Sequence, residues 1–153
     1  MGQIIGAHHT SYTVRNLEET IAFYRDLLGF EMVHNRPEIV HNYWRAVVGF
    51  PDAIARDAMF RIPGANHFLE MIEYQHPRGT AQNDLTPNNV GSSHVAYLVD
   101  DLPSLYERLK AANVTFISEP IYLDEGPNKG GWSLYMRDPD GIVIELFQQR
   151  PDA

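Results

Sequence analysis

Apolar and polar residues alternate through Ala7 to Val14, the period of a β-strand with one covered face. Asn16 followed by Glu19 forms a capping box, with Asn in the cap role. Leu17, Ile21, Tyr24, Leu27 and Leu28 then recur on one side of a helix, and Gly29 stands where helices commonly stop. Glu31 to His34 begins a second strand, Ala58 to Ile62 a third and Phe68 to Tyr74 a fourth, the last two joined by a Pro63-Gly64 turn. From Gln75 to Ser92 the composition shifts to Pro, Gly, Asn, Gln and Thr, which predicts a linker. Beyond it the order repeats. His94 to Val99 reads as a strand, and Asp101 caps a helix in which Leu102, Leu105, Tyr106 and Leu109 share a face. Pro103 is accommodated in that helix's first turn. Val114 to Ile117, Trp132 to Met136 and Ile142 to Phe147 supply the remaining strands, with Asp138-Pro-Asp-Gly141 as the last turn. The pattern predicts an α+β chain, one domain over residues 1–153 built from two tandem βαβββ modules. The first module covers about 5–75, the linker about 75–92 and the second module about 93–148.

The repeat extends to individual residues. His9-Thr-Ser-Tyr-Thr-Val-Arg-Asn-Leu17 returns as His94-Val-Ala-Tyr-Leu-Val-Asp-Asp-Leu102, with His, Tyr, Val and Leu in the same places. Each half also ends on an apolar strand carrying one glutamate, Glu70 in Phe68-Leu-Glu-Met-Ile72 and Glu145 in Ile142-Val-Ile-Glu-Leu146. Strand periodicity puts His9 with Ser11 and Thr13 and turns His8 the other way; Glu70 falls with Phe68 and Ile72, Glu145 with Val143 and Phe147. A carboxylate on such a face is costly unless it is paired or binds a metal. His9, Glu70, His94 and Glu145 therefore read as one metal site shared by the two modules. Two imidazoles and two carboxylates suit a borderline divalent ion: Ni, Co, Zn, Mn or Fe(II). Four such ligands on an octahedral ion leave two neighbouring positions for a substrate that chelates through adjacent oxygens. His34 and His41 flank the longer first-module loop and rank behind these four as cavity residues. His67 and His76 fall in a turn and in the linker.

Charge narrows the function. Asp and Glu number 20 against 12 Lys and Arg, a net charge of -8 that opposes general binding to nucleic acid or to anionic membranes. The absence of cysteine excludes disulfides and thiolate metal sites. No apolar run reaches membrane-spanning length, and Met1-Gly-Gln-Ile-Ile5 has no signal-peptide pattern. These features predict a cytoplasmic protein whose partner is a small molecule. The stretch Glu38 to Gly49 is too apolar for an ordinary surface loop, so Tyr43, Trp44 and Arg45 are expected to wall a substrate pocket. Arg45 would face a substrate carboxylate or else make a plain salt bridge. Tyr122 to Trp132, with Gly126, Gly130 and Gly131, is expected to act as a lid.

Three segments carry a resemblance: Asn16-Leu-Glu-Glu-Thr-Ile-Ala-Phe-Tyr-Arg-Asp-Leu-Leu-Gly-Phe30, His94-Val-Ala-Tyr-Leu-Val-Asp-Asp101 and Arg137-Asp-Pro-Asp-Gly-Ile-Val-Ile-Glu145. With them the chain, from His9 to Phe147, resembles the vicinal oxygen chelate superfamily, which contains glyoxalase I, methylmalonyl-CoA epimerase, extradiol dioxygenases and fosfomycin or bleomycin resistance proteins. The resemblance implies paired βαβββ modules whose curved sheets enclose a divalent metal, in a homodimer. The ligand order His, Glu, His, Glu is most similar to that of methylmalonyl-CoA epimerase and its relatives. Glyoxalase I usually continues its first glutamate as Glu-Leu-Thr, and Glu70-Met-Ile-Glu-Tyr74 departs from that. Extradiol dioxygenases place a His where Asn128 stands here, although Tyr135, Asp138-Pro-Asp-Gly141 and Glu145 follow at fitting spacing.

The implied chemistry is proton abstraction beside a metal-bound oxygen, giving an epimerase, isomerase or lyase. Glu145 or Glu70 would take the proton on leaving the metal, as in glyoxalase-like enzymes, or a free base such as Glu38 or His41 would. Were the ion iron, ring-cleaving dioxygenase chemistry would be expected instead, with Tyr135 as the acid-base partner and Asn128 near the substrate. The third reading is a non-catalytic small-molecule binding or resistance protein.

Overall fold

The computed structural model describes residues 1–80 and 86–151. The chain divides into two compact units, Met1–Ala81 and Gln82–Ala153. The first contains β1 (His9–Thr13), α1 (Leu17–Ile21) running directly into a π-helical stretch (Ala22–Leu27), β2 (Glu31–Ile39), α2 (Asn42–Val48), β3 (Ile54–Arg61) and β4 (Phe68–His76). The second contains β5 (His94–Leu98), α3 (Leu102–Ala111), β6 (Thr115–Phe116), β7 (Ile121–Tyr122), β8 (Trp132–Arg137) and β9 (Val143–Gln148). Sheet order is β1-β4-β3-β2 in the first unit and β5-β9-β8-β6 in the second, with β7 added beside β8. In each unit the first strand lies parallel to the last, and the other neighbours are antiparallel. This is the predicted α+β architecture, a βαβββ arrangement formed twice.

The first helix starts as the capping box predicts. The Asn16 side-chain oxygen accepts from the Glu18 and Glu19 backbone N–H groups. Glu19 accepts from the Asn16 side-chain amide, at 3.0 Å, in place of the backbone N–H that a capping box would engage. Further on the helix departs from its predicted face. The Leu28 N–H reaches the Phe23 carbonyl, five residues back, at 3.0 Å. The wider turn delays the apolar stripe, so Phe23 joins the predicted Leu17, Ile21 and Tyr24 in the core while Leu27 and Leu28 stay half-buried. Gly29 ends the helix at φ +80°, a conformation that would strain any side chain.

Burial alternates along the last strand of the first unit. Leu69, Met71 and Glu73 are buried beneath the helix, whereas Phe68, Glu70 and Ile72 point to the other, half-buried face. In β9 Ile144 and Leu146 face the α3 side, with Leu102, Tyr106 and Leu109 of α3 buried. Each fully buried Leu or Phe contributes about 1.5–3 kcal/mol. One polar contact recurs within this apolar layer. The Glu73 carboxylate accepts the Leu17 N–H at 2.8 Å, and the Gln148 side-chain oxygen accepts the Leu102 N–H at 2.7 Å. Both residues lie three positions beyond the repeated glutamate, and both satisfy the first orphan donor of a helix. Arg56 bridges Glu73, at 2.7 Å, to Glu18.

Some predicted boundaries move. The second strand runs on to Ile39, and the apolar stretch after it is a helix rather than a loop. That helix, α2, ends on Gly49 in the left-handed conformation (φ 77°) and has no buried residue. The expected lid from Tyr122 to Trp132 is the end of a hairpin: Tyr122 pairs with Trp132, and the Leu123 N–H donates to the Gly131 carbonyl at 3.0 Å. The predicted linker opens inside β4, and residues 81–85 lie outside those described. Among the described residues no helix is long and apolar enough to cross a membrane.

Glu73→Ala is expected to lower the free energy of unfolding by about 2 kcal/mol, since it leaves the buried Leu17 N–H without its acceptor and removes the buried half of the Arg56 bridge, with Glu18 still holding the guanidinium. Gln148→Ala, which removes a neutral acceptor, should cost about 1 kcal/mol, both values to be read from urea denaturation.

Candidate functional site

The repeated His and Glu meet because the two parallel ladders share one register. His9 lies opposite Phe68 and Ser11 opposite Glu70; His94 lies opposite Val143 and Ala96 opposite Glu145. In both sheets the histidine is therefore the diagonal neighbour of the glutamate on the same face, within reach of long side chains. His9 Nε2 is 3.5 Å from the Glu70 carboxylate, and His94 Nε2 is 3.2 Å from that of Glu145. The two glutamates are mostly buried and the two histidines about 40% exposed.

The first pair has a charged setting. His8, expected to point away, instead brings its Nδ1 to 2.7 Å from Nδ1 of His9, because it precedes the strand and is free to fold back. That contact engages the far nitrogen of His9 and leaves Nε2 for Glu70. On the other side, Arg36 approaches Glu70 at 3.6 Å and holds Asp57 through Nε at 2.7 Å and Nη2 at 2.5 Å. His34 adds a contact to Asp57 at 3.3 Å. Asp57 is fully buried. Burial alone would push its carboxyl up, but the hydrogen bonds from Arg36 and His34 outweigh this and hold it below the ordinary carboxylate range.

The second pair is set in hydroxyls. Ser133 donates to Glu145 at 2.8 Å, and the Tyr135 hydroxyl stands 3.4 Å from His94 Nε2. Burial, with Glu145 nearby, pushes the Tyr135 phenol up, so it keeps its proton at neutral pH.

The remaining candidates divide. Trp44 packs on Tyr74, which shares a strand face with Glu70, at 5.7 Å between rings. Tyr43 is exposed and stacks on His41 at 5.4 Å. Arg45 donates to the Ala53 carbonyl at 2.9 Å and so ties α2 to the following turn. Glu38 and His41 are exposed and make no ion pair among the described residues. The Asn128 carbonyl accepts from Gly131 at 3.1 Å in the β7–β8 loop. Sequence reasoning passed over Arg36, Asp57 and Ser133; the alternation of β3, with Asp57 two positions before Met59, was the available signal.

Each pair fits half of a metal site. A nitrogen and an oxygen bound to one ion at about 2.1 Å sit about 3.0 Å apart in octahedral and about 3.4 Å apart in tetrahedral geometry. The observed separations are 3.5 and 3.2 Å. Within either unit, among the described residues, no third His, Asp or Glu completes a metal-holding group.

The family model described as Glyoxalase/Bleomycin resistance protein/Dioxygenase superfamily matches residues 6–146. A lactoylglutathione lyase of Arabidopsis thaliana is 29% identical over 94% of this chain, which spans only 44% of that protein's length. A 2-epi-5-epi-valiolone epimerase of Actinomyces sp is also 29% identical, over 94% of this chain and 79% of the epimerase. Among solved structures, a glyoxalase family protein from Bacillus cereus superposes with a TM-score of 0.83 at 20% identity, covering 97% of both chains. A fosfomycin resistance protein from Listeria monocytogenes, complexed with Mn(II) and sulfate, superposes with a TM-score of 0.61 at 18% identity, covering 98% of this chain and 97% of that one.

Asp57 binds its proton less tightly folded than unfolded. Its contribution to stability is therefore complete above the unfolded carboxylate value of about 3.9 and is lost as pH falls through the lower folded value. Acid unfolding curves of the wild type and Asp57→Asn should show this component only in the wild type. Arg36→Ala, which leaves Asp57 buried without its main partner, should cost about 3 kcal/mol by urea denaturation.

Proposed function

This chain belongs to the Glyoxalase/Bleomycin resistance protein/Dioxygenase superfamily, and from that premise we propose that it is a metal-dependent enzyme acting on a small oxygen-chelating substrate. The observation that carries the reading is the repeated His–Glu pair, His9 with Glu70 and His94 with Glu145, set by the same register in both units. These four residues are the proposed ligands of a divalent ion, Ni, Co, Zn, Mn or Fe(II). When bound, the ion supplies Lewis-acid polarisation of a substrate oxygen, a contribution of several kcal/mol.

The chain's own groups supply proton transfer. Glu145 is anchored by Ser133 at 2.8 Å, whereas the contacts of Glu70 are longer, at 3.5 and 3.6 Å. Glu70 is therefore the freer carboxylate and the proposed base, taking a proton from the carbon beside the chelating oxygens. Return of the proton to the opposite face is epimerisation; return to the neighbouring carbon is isomerisation or a lyase reaction. Relatives named as a lyase and as an epimerase support this range, and the Glu70-Met-Ile departure favours the epimerase side of it.

A second reading rests on Tyr135, whose protonated hydroxyl stands beside His94. If the ion is iron, that placement favours oxygen chemistry on a catechol.

Protein purified without chelators is expected to carry about one equivalent of Ni, Co, Zn or Mn per chain, lost in Glu145→Ala. Ser133→Ala should weaken metal binding about tenfold by removing the partner that orients Glu145. Glu70→Gln should cost more in kcat than in metal affinity. Iron in the purified protein, with oxygen uptake on catechols, would put the dioxygenase first. A wild type that takes up none of these ions leaves the non-catalytic binding protein as the reading.

A further inference from the structure

Asp57 is fully buried on β3, and its carboxylate is committed to Arg36 and His34. A buried ion pair is a poor way to stabilise a sheet, since well-packed apolar residues do as well or better. Its effect here is geometric. Two parallel bonds, from Nε and Nη2, clamp one edge of the Arg36 guanidinium and prevent it from swinging into solvent. Nη1 makes no hydrogen bond among the described residues, and the side chain remains 45% exposed. The clamped group stands 3.6 Å from Glu70, beyond hydrogen-bond distance, on the sheet face that also carries His9. A rigid, half-exposed guanidinium with donors to spare is suited to a planar carboxylate.

We propose that Arg36 is a specificity-determining residue that receives a carboxylate of the substrate. The inference rests on the function proposed above and names its substrate class: chelating molecules that bear a carboxylate beyond their two chelating oxygens. Asp57 acts through Arg36 as a positioning residue. Neither belongs to the His–Glu pairs, so substrate selection and metal binding are separable.

The test is calorimetric titration of the Co(II)-loaded protein with two probes. Tartronate offers a chelating hydroxyl and carboxylate plus a second carboxylate; glycolate offers the chelating pair alone. The wild type should prefer tartronate by about tenfold or more, the worth of one charge-assisted hydrogen bond. The double variant Arg36→Gln/Asp57→Asn, which removes both charges together so that neither is left buried alone, should bring the preference close to unity. Arg36→Lys, which keeps the charge but loses the two-bond clamp, should retain part of it and serves if the double variant does not fold. Equal affinity for both probes in the wild type, or an unchanged preference in the folded variants, overturns the inference alone. Failure of the wild type to take up cobalt removes the function on which it rests, and the inference with it.

Discussion

Parallel pairing of a unit's first and last strands requires a crossover connection, and here the crossover begins with a helix that covers one face of the sheet. That arrangement fixes two things together. It assigns one set of alternate residues to the buried layer beneath the helix and leaves the other set on the open face. It also sets the diagonal that brings His9 to Glu70 and His94 to Glu145. A slip of one residue would send either glutamate into the apolar layer and the neighbouring core residue out of it. Hydrophobic burial on one face thus enforces the polar geometry of the other.

The units share a frame but differ around it. Glu70 has Arg36 and, through it, the buried Asp57; Glu145 has the neutral hydroxyl of Ser133. Met59 lies opposite Glu70 where Tyr135 lies opposite Glu145. Equivalent residues in unlike electrostatic settings need not do equivalent work.

Much of this was legible in the sequence. Duplication of His, Tyr, Val and Leu at matched places, followed by a glutamate on an apolar strand, located both pairs and the order of elements. What escaped did so for physical reasons. The π-helical stretch changes the helix period, so Phe23 took the core place expected of Leu27 and Leu28, while Tyr24 kept its own. α2 was missed because it has no buried face to generate a period: Tyr43 and Val47 both point to solvent. β7, two residues long, is too short to alternate. Asp57 and Arg36 are linked across a strand pair, a contact that appears only once the register of β2 on β3, bulges included, is known.

The contacts from Glu73 and Gln148 to the first N–H of each helix bear on how the units loosen. Helix ends are ordinarily the first parts of a fold to fray. In these units the N-terminal end cannot open without breaking a hydrogen bond to a side chain held on the last strand. Fraying is therefore directed to the other end, which in the first unit is the π-helical stretch closed by Gly29. The junction of helix and last strand, three residues from each repeated glutamate, is thereby tied more firmly than a helix end that relies on water alone.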